Sequence, residues 1–236
     1  MLAVALLAGG LATRLRPVTE RIPKSLVEVN GEPFVAHQLR LLQANGIRRV
    51  VLCVGFLGEM IREQIGGGER FGVEVEYSFD GDKLLGTAGA VRQALPLLDD
   101  SFFVLYGDSY LACDYAAVAK EFRTSGELAL MTVFRNEGKW DTSNVEFDGK
   151  TIRAYSKTKR TPRMHYIDYG LGAFSAKALE LAPAGEPFDL ADLYGRLLDK
   201  GQLAGIEMLQ RFYEIGSPAG LEETADFLAR EKAARL

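Results

Sequence analysis

An α/β fold with a mostly parallel central sheet and helices on both faces is what this sequence predicts, and three observations carry that reading. Short, fully apolar runs alternate with amphipathic segments from the N-terminus to Phe134. Glycines punctuate the ends of those segments, and no linker, low-complexity stretch or internal repeat interrupts the series. With 236 residues, 47% of them hydrophobic, the chain can bury one substantial core, so a single domain over residues 1–236 is expected.

Leu2 to Leu7 is an unbroken apolar run and reads as a buried strand. Phe34 to Asn45 is an amphipathic helix stopped by Gly46, and Arg49 to Val54 is a second buried strand. Leu57 to Ile65 is helical and ends at Gly66-Gly67-Gly68, after which Val73 to Phe79 alternates as a strand. A helix from Ala88 to Leu98, a buried strand from Phe102 to Tyr106, a helix from Tyr115 to Thr124 and a strand from Leu128 to Phe134 follow. From Asn144 the texture changes. Val145 to Phe147 and Thr151 to Tyr155, joined at Asp148-Gly149, read as a β-hairpin. Tyr166 to Phe174 is another strand, and helices recur from Leu190 to Leu198 and from Pro218 onward.

Formal charge is −4, with acidic and basic residues interspersed, which argues against nucleic acid and against an anionic membrane surface as partners. The N-terminal apolar run is too short to span a bilayer and has no basic flank, so neither an anchor nor a signal peptide is indicated. Cys53 and Cys113 form neither a disulfide framework nor a metal spacing, and a reducing cytoplasm fits them best. His37 and His165 have no triad-like neighbours, and Trp140 reads as partly buried structure before it reads as a sugar-stacking face.

The chain leaves its first strand through Leu7-Ala8-Gly9-Gly10, a turn free of bulky side chains whose backbone N–H groups can approach phosphate oxygens. Arg14 and Lys24 follow where a phosphate chain would extend, and an arginine can grip two oxygens at once. Strand, glycine turn and two spaced cations suit a nucleoside triphosphate. The pattern is neither Gly-x-Gly-x-x-Gly nor a P-loop. In Gly9, Gly10, Thr13, Arg14, Leu15, Pro17, Thr19, Pro23 and Lys24 it resembles the signature of the sugar-1-phosphate nucleotidylyltransferases, departing at Ala12, where the family usually has glycine. The resemblance implies a three-layer, Rossmann-like nucleotidyltransferase fold with the small β-hairpin on the acceptor side. No hexapeptide repeat of the C-terminal β-helix that some relatives carry is read in these 236 residues, so a single nucleotidyltransferase domain is the expectation.

The same resemblance assigns further positions. Gly107-Asp108, just after a strand, matches the aspartate that holds Mg²⁺, and Glu214 in Phe212-Tyr213-Glu214-Ile215-Gly216 stands where a second metal aspartate is usual. Leu85-Gly86-Thr87-Ala88-Gly89-Ala90 matches the nucleobase loop, although Gly86 and Thr87 also read as an ordinary helix start. Asp80 and Asp82 could accept from a guanine edge or could be solvated loop carboxylates. On the acceptor side, Lys157 matches the lysine that binds the sugar phosphate, while Ser156 and Thr158 replace the family's glutamate and proline. Asn144 stands in place of a glycine, and Asp168 and Gly170 lie in the strand expected beside the sugar. These departures cluster in the acceptor pocket.

The implied reaction joins a nucleoside triphosphate to a sugar 1-phosphate and releases pyrophosphate, with guanylyl transfer to a heptose or hexose 1-phosphate favoured by Asp80 and Asp82. Uridylyl transfer to an amino-sugar 1-phosphate is the alternative, and the resemblance leaves room for a homo-oligomer. A glycosyltransferase binding a nucleotide-sugar would not need both Arg14 and Lys24. A non-catalytic sensor would be expected to have lost one of Arg14, Lys24 and Asp108.

Overall fold

The computed structural model describes residues 1–10 and 21–234. Strand β1 (Ala3–Leu7) is followed by a small hairpin, β2 (Glu28–Val29) with β3 (Glu32–Pro33), and by α1 (Phe34–Ala44). Next come β4 (Arg49–Val54), α2 (Gly58–Ile65), β5 (Glu74–Phe79), α3 (Gly86–Gln93), β6 (Ser101–Tyr106), the short β7 (Ser109–Tyr110) and α4 (Tyr115–Ser125). The second half holds β8 (Ala129–Arg135), β9 (Val145–Phe147), β10 (Ile152–Tyr155), β11 (Tyr166–Ser175), α5 (Leu190–Asp199), β12 (Leu203–Met208), β13 (Tyr213–Glu214) and α6 (Pro218–Ala234).

The expected parallel sheet is present. β1 lies between β4 and β6, parallel to both, and β5 adds on beyond β4 in the same sense. Because strand side chains alternate between faces, Val4 and Leu6 enter one core with α1, α2 and α4, while Ala5 enters the other with α3 and α5. The same alternation splits Val50 and Leu52 from Val51 and Cys53 on β4, and Phe103 and Leu105 from Phe102 and Val104 on β6. A parallel sheet buried on both faces needs such two-sided apolar strands, which is why they were legible as unbroken runs.

Beyond β6 the sheet turns mixed. β11 runs antiparallel to both β6 and β8, and β12 pairs parallel with β8, giving nine strands in this sheet among the described residues. The antiparallel insertion of β11 was not expected, and neither was β12, whose interior residues are all only partly buried and follow no alternation. β9 and β10 pair antiparallel around Asp148-Gly149 as the turn chemistry requires. The helix expected over Ala88 to Leu98 ends earlier, with α3 stopping at Gln93 and a 3-10 turn at Leu95–Leu97, where Pro96 lacks the N–H to continue an α-helix. A third apolar cluster, including Val27, Phe34, Tyr110, Ile215 and Leu228, fixes the β2–β3 hairpin, the β7–β13 ribbon and α6 to one another. Among the described residues, no helix is long and apolar enough to cross a membrane.

Candidate active site

A cleft of 380 Å³ opens at the carboxyl ends of β1 and β6, where an open parallel sheet collects its ligands. Its floor is backbone. Ala8 N donates to Cys53 O at 2.8 Å and Gly107 N to Leu7 O at 2.9 Å, so the exits of β4 and β6 both grip the exit of β1. That grip leaves no space at Gly107, where a Cβ would lie 2.4 Å from Leu7 O. The two glycines of the first turn differ in kind. A Cβ on Gly9 would meet Gly55 N at 2.9 Å, whereas one on Gly10 would meet no atom of the described residues within 4 Å. Gly9 is therefore required by protein packing, and Gly10 faces open cleft.

Lys24 and Asp108 meet across this floor, Nζ to Oδ2 at 2.6 Å. Lys24 starts a 3-10 turn anchored by buried Ser25 and Leu26. Asp108 is held from three sides. Ser109 donates its hydroxyl to Asp108 Oδ1 at 3.3 Å, and Ile215 N donates to Asp108 O at 2.9 Å. Gln38, fully buried on α1, donates Nε2 to both Tyr106 O (3.1 Å) and Ser109 O (2.8 Å), straddling the Gly107-Asp108 turn. Glu214 pairs with Ser109 across the β7–β13 ribbon, one step from Asp108, but lies outside the cleft lining. Two hard carboxylates, one in the turn between β6 and β7 and one on β13, suit a divalent cation that draws its remaining ligands from phosphate and water. Among the described residues, no group of three or more His, Cys, Asp or Glu side chains is gathered to hold a metal by itself.

On the opposite wall, Gly86 opens α3 at φ +70°, with Phe188 O where its Cβ would be (2.8 Å). Thr87 does not cap its own helix. Its hydroxyl donates to Asp189 Oδ1 at 2.9 Å and accepts from Leu190 N at 2.7 Å, binding α3 to the start of α5. Asp80 lines the cleft, and its Oδ2 accepts from Leu85 N at 3.1 Å; burial raises its pKa against that hydrogen bond. Asp82 is exposed and outside the lining, which separates two carboxylates that the sequence left equivalent.

The acceptor-side residues form a second group beside the cleft. Asn144 Oδ1 accepts from Asp168 N, and Asp168 Oδ1 accepts from Gly170 N, each at 3.0 Å. Gly170 adopts φ +99° beneath the ring of Tyr106. Lys157 Nζ lies 3.4 Å from Asp189, and both are about half exposed. Burial works against the Asp189 charge, but the Ala191 N–H, Lys157 and Thr87 hold its pKa below the usual value. Burial pushes Asp168 up to about 6, against the lowering influence of the Gly170 N–H and Lys157.

Of the residues singled out from sequence, Leu7, Ala8, Gly9, Gly10, Lys24, Asp80, Gly86, Thr87 and Asp108 line one cleft. Lys157, Asn144, Asp168 and Gly170 stand next to it, joined through Asp189 and Tyr106, while Thr13 and Arg14 lie outside the described residues. Sequence reasoning missed Gln38, Tyr106 and Asp189. Gln38 interrupts the apolar face of a helix, the one signal that pointed to it. Trp140 is exposed, not partly buried as expected, and stacks on Arg211, 3.5 Å from its ring, while His37 bonds Val29 O at 2.8 Å, consistent with a structural part for the histidine. Cys53 and Cys113 are free thiols, both pushed up to about 12 by burial.

Residues 3–231 match the nucleotidyl transferase family. The chain is 30% identical to the UTP–glucose-1-phosphate uridylyltransferase of Synechocystis sp. over 213 residues, 83% of this chain and 55% of that one. It is 29% identical to the mannose-1-phosphate guanylyltransferase catalytic subunit beta of Danio rerio over 219 residues, 90% and 61% of the respective chains. It thus spans little more than half the length of these relatives. The inositol-1-phosphate CTP transferase of T. maritima superposes with a TM-score of 0.80 over 97% of this chain and 95% of that one, at 24% identity, a likeness of fold.

Proposed function

This chain belongs to the nucleotidyl transferase family, and from that premise we propose that it transfers a nucleotidyl group from a nucleoside triphosphate to a sugar 1-phosphate as a single nucleotidyltransferase domain. The observation that carries the reading is the Lys24–Asp108 pair, 2.6 Å apart on the floor of a glycine-lined cleft at the carboxyl ends of β1 and β6. A phosphate oxygen of the acceptor attacks the α-phosphorus, the bond to the β-phosphate breaks, and pyrophosphate leaves. The attacking oxygen is already anionic at neutral pH, so no general base is needed; positioning and charge compensation supply the acceleration.

The open face at Gly10 lets the triphosphate lie against backbone. Lys24 turns from Asp108 to an α-phosphate oxygen, and Arg14 grips the departing pyrophosphate. Asp108 with Glu214 would hold Mg²⁺, which supplies neutralising charge beside the phosphates. Lys157 leaves Asp189 for the acceptor phosphate, and Asn144, Asp168 and Gly170 face the sugar. Asp80 favours guanine, because a carboxylate accepts from the two N–H groups on that base's edge. Two unpaired thiols and the lack of a membrane-spanning helix among the described residues support a cytoplasmic setting.

Pyrophosphate release, measured for each nucleoside triphosphate crossed with a panel of sugar 1-phosphates and Mg²⁺, tests the proposal. Turnover with GTP above the other triphosphates is expected. Turnover only with UTP overturns the base assignment, and release from no pair overturns the transfer reaction itself.

A further inference from the structure

Beside the cleft, one carboxylate and three phenols from four elements converge. Asp168 comes from β11, Tyr106 from β6, Tyr155 from β10 and Tyr194 from α5. The charge of Asp168 acts on all three phenols, and Tyr155 packs edge-on against Tyr194 with ring centroids 5.8 Å apart. The hydroxyls of Tyr106 and Tyr155 are both sealed from water; that of Tyr155 acts on Asp168 as a hydrogen-bond donor, whereas that of Tyr106 has no partner among the described residues. A sealed, unpaired hydroxyl is costly and uncommon in a folded chain, and one beside this carboxylate points to a network completed by something else. Asp168 Oδ1 is already taken by Gly170 N. An aspartate that keeps an oxygen in a polar recess can only accept a hydrogen bond while ionised.

Resting on the transferase reading above, we propose that Asp168 selects an uncharged, polyhydroxylated sugar 1-phosphate and rejects one whose ring carries a carboxylate, with Tyr106 and Tyr155 as positioning residues that hold the Asp168 carboxylate in place. A sugar hydroxyl donates to Asp168 and accepts in turn, so a neutral ring closes the network. A uronic acid would set its own carboxylate against Asp168 and Asp189. Among the described residues the cation that acts on Asp168 is Lys157, which is already 3.4 Å from Asp189 and is needed by the acceptor phosphate. Lys159 and Arg160 are exposed, and Arg163 is paired with Glu146 at 2.9 Å, so these charges are screened or engaged elsewhere.

The test is pyrophosphate release from matched neutral and uronic acid 1-phosphates of the gluco, galacto and manno series, with the best nucleoside triphosphate. The wild type should favour the neutral member by about tenfold or more in kcat/KM, the scale of one charged hydrogen bond gained or lost. Asp168→Asn should shrink that ratio about tenfold, mainly through acceptor KM, with nucleotide KM within about twofold of wild type. Tyr155→Phe should keep the preference but move the acidic limb of the acceptor kcat/KM profile to higher pH, a change a merely structural tyrosine would not produce. A wild-type preference for the uronic acid, or an unchanged ratio in a folded Asp168→Asn protein, overturns the inference while leaving the transferase reading standing. Failure of every pair to release pyrophosphate overturns both.

Discussion

Replacing Asp168 with asparagine should make the folded chain more stable at neutral pH, an unusual expectation for a site residue. The Asp168 pKa rises from the ordinary 3.8 to about 6 because burial strips water from its carboxyl, and the lowering influence of the Gly170 N–H, Lys157 and Tyr155 does not make up for it. The folded state thus binds a proton between those values that the unfolded chain does not. Stability falls as pH rises through that window, and the whole penalty is present above pH 6. Two pH units at about 1.4 kcal/mol each set an upper bound near 3 kcal/mol. Asp168 keeps some exposed surface, so about 1–2 kcal/mol is the working figure. Asparagine cannot ionise, and its Oδ1 still accepts the Gly170 N–H. For a chain of this size the gain corresponds to roughly 2–8 °C in Tm.

Thermal unfolding of both proteins, followed by circular dichroism from pH 4.5 to 8, reads the effect directly. The asparagine variant should melt higher at pH 7–8, and the two curves should converge towards pH 4.5 as the wild-type carboxyl protonates. A variant that melts lower than wild type at every pH, or by a constant margin, would refute the assignment of a buried, strained charge. The same variant should lose acceptor affinity, so the strain at Asp168 is a stability cost retained for recognition.

Asp108→Asn should abolish Mg²⁺-dependent turnover while leaving Tm within a few degrees, since no apolar core depends on that charge; near-normal activity would remove Asp108 from the mechanism. Lys157→Ala should raise acceptor KM by about tenfold or more with nucleotide binding to the free enzyme unchanged, a contrast that isothermal titration and steady-state kinetics together resolve. Its surface pair with Asp189 is worth at most about 1 kcal/mol, so Tm should hardly move. Gly107→Ala forces a Cβ to 2.4 Å from Leu7 O and should cost about 1–3 kcal/mol in urea unfolding, with wild-type stability counting against the close approach of β1 and β6. Gln38→Ala leaves Tyr106 O and Ser109 O without their donor; a loss of about 2 kcal/mol and a fall in kcat larger than the fall in folded fraction are expected.

The parts of the fold legible in the sequence are those buried on both faces. β1, β4 and β6 announce themselves as unbroken apolar runs because each side chain meets a helix layer above or below. β12 escaped notice because Ala204, Gly205, Ile206 and Glu207 are each only partly covered, so no face is consistently apolar. The antiparallel entry of β11 between β6 and β8 was equally hidden, since strand order is a property of pairing and not of composition. The same division runs through the site. Gly9, Gly10, Lys24 and Asp108 sit in spaced motifs, whereas Gln38 and Asp189 act through contacts with residues far away in the chain, with no local pattern to mark them.

The two glycines of the first turn show why a motif can be readable while its physical reasons are mixed. Read from the chain, Gly9 and Gly10 serve one purpose, close approach of backbone to phosphate. In the fold both glycines line the cleft, but Gly9 is also needed because Gly55 N stands 2.9 Å from where its Cβ would be, whereas a Cβ on Gly10 would meet no atom of the described residues within 4 Å. The first of the pair locks the β1 exit to the β4 exit, and the Leu7–Gly107 contact locks it to β6 on the other side. With both neighbours fixed, Gly10 and the Lys24–Asp108 pair stand on a closely packed backbone floor, and only the Lys24 side chain has to turn for phosphate to be met. Such preorganisation is what electrostatic catalysis requires, because donors already in place lose nothing to reorganisation as the transition state forms. The close packing of three strand ends is therefore as much a part of the proposed chemistry as the two charges it carries.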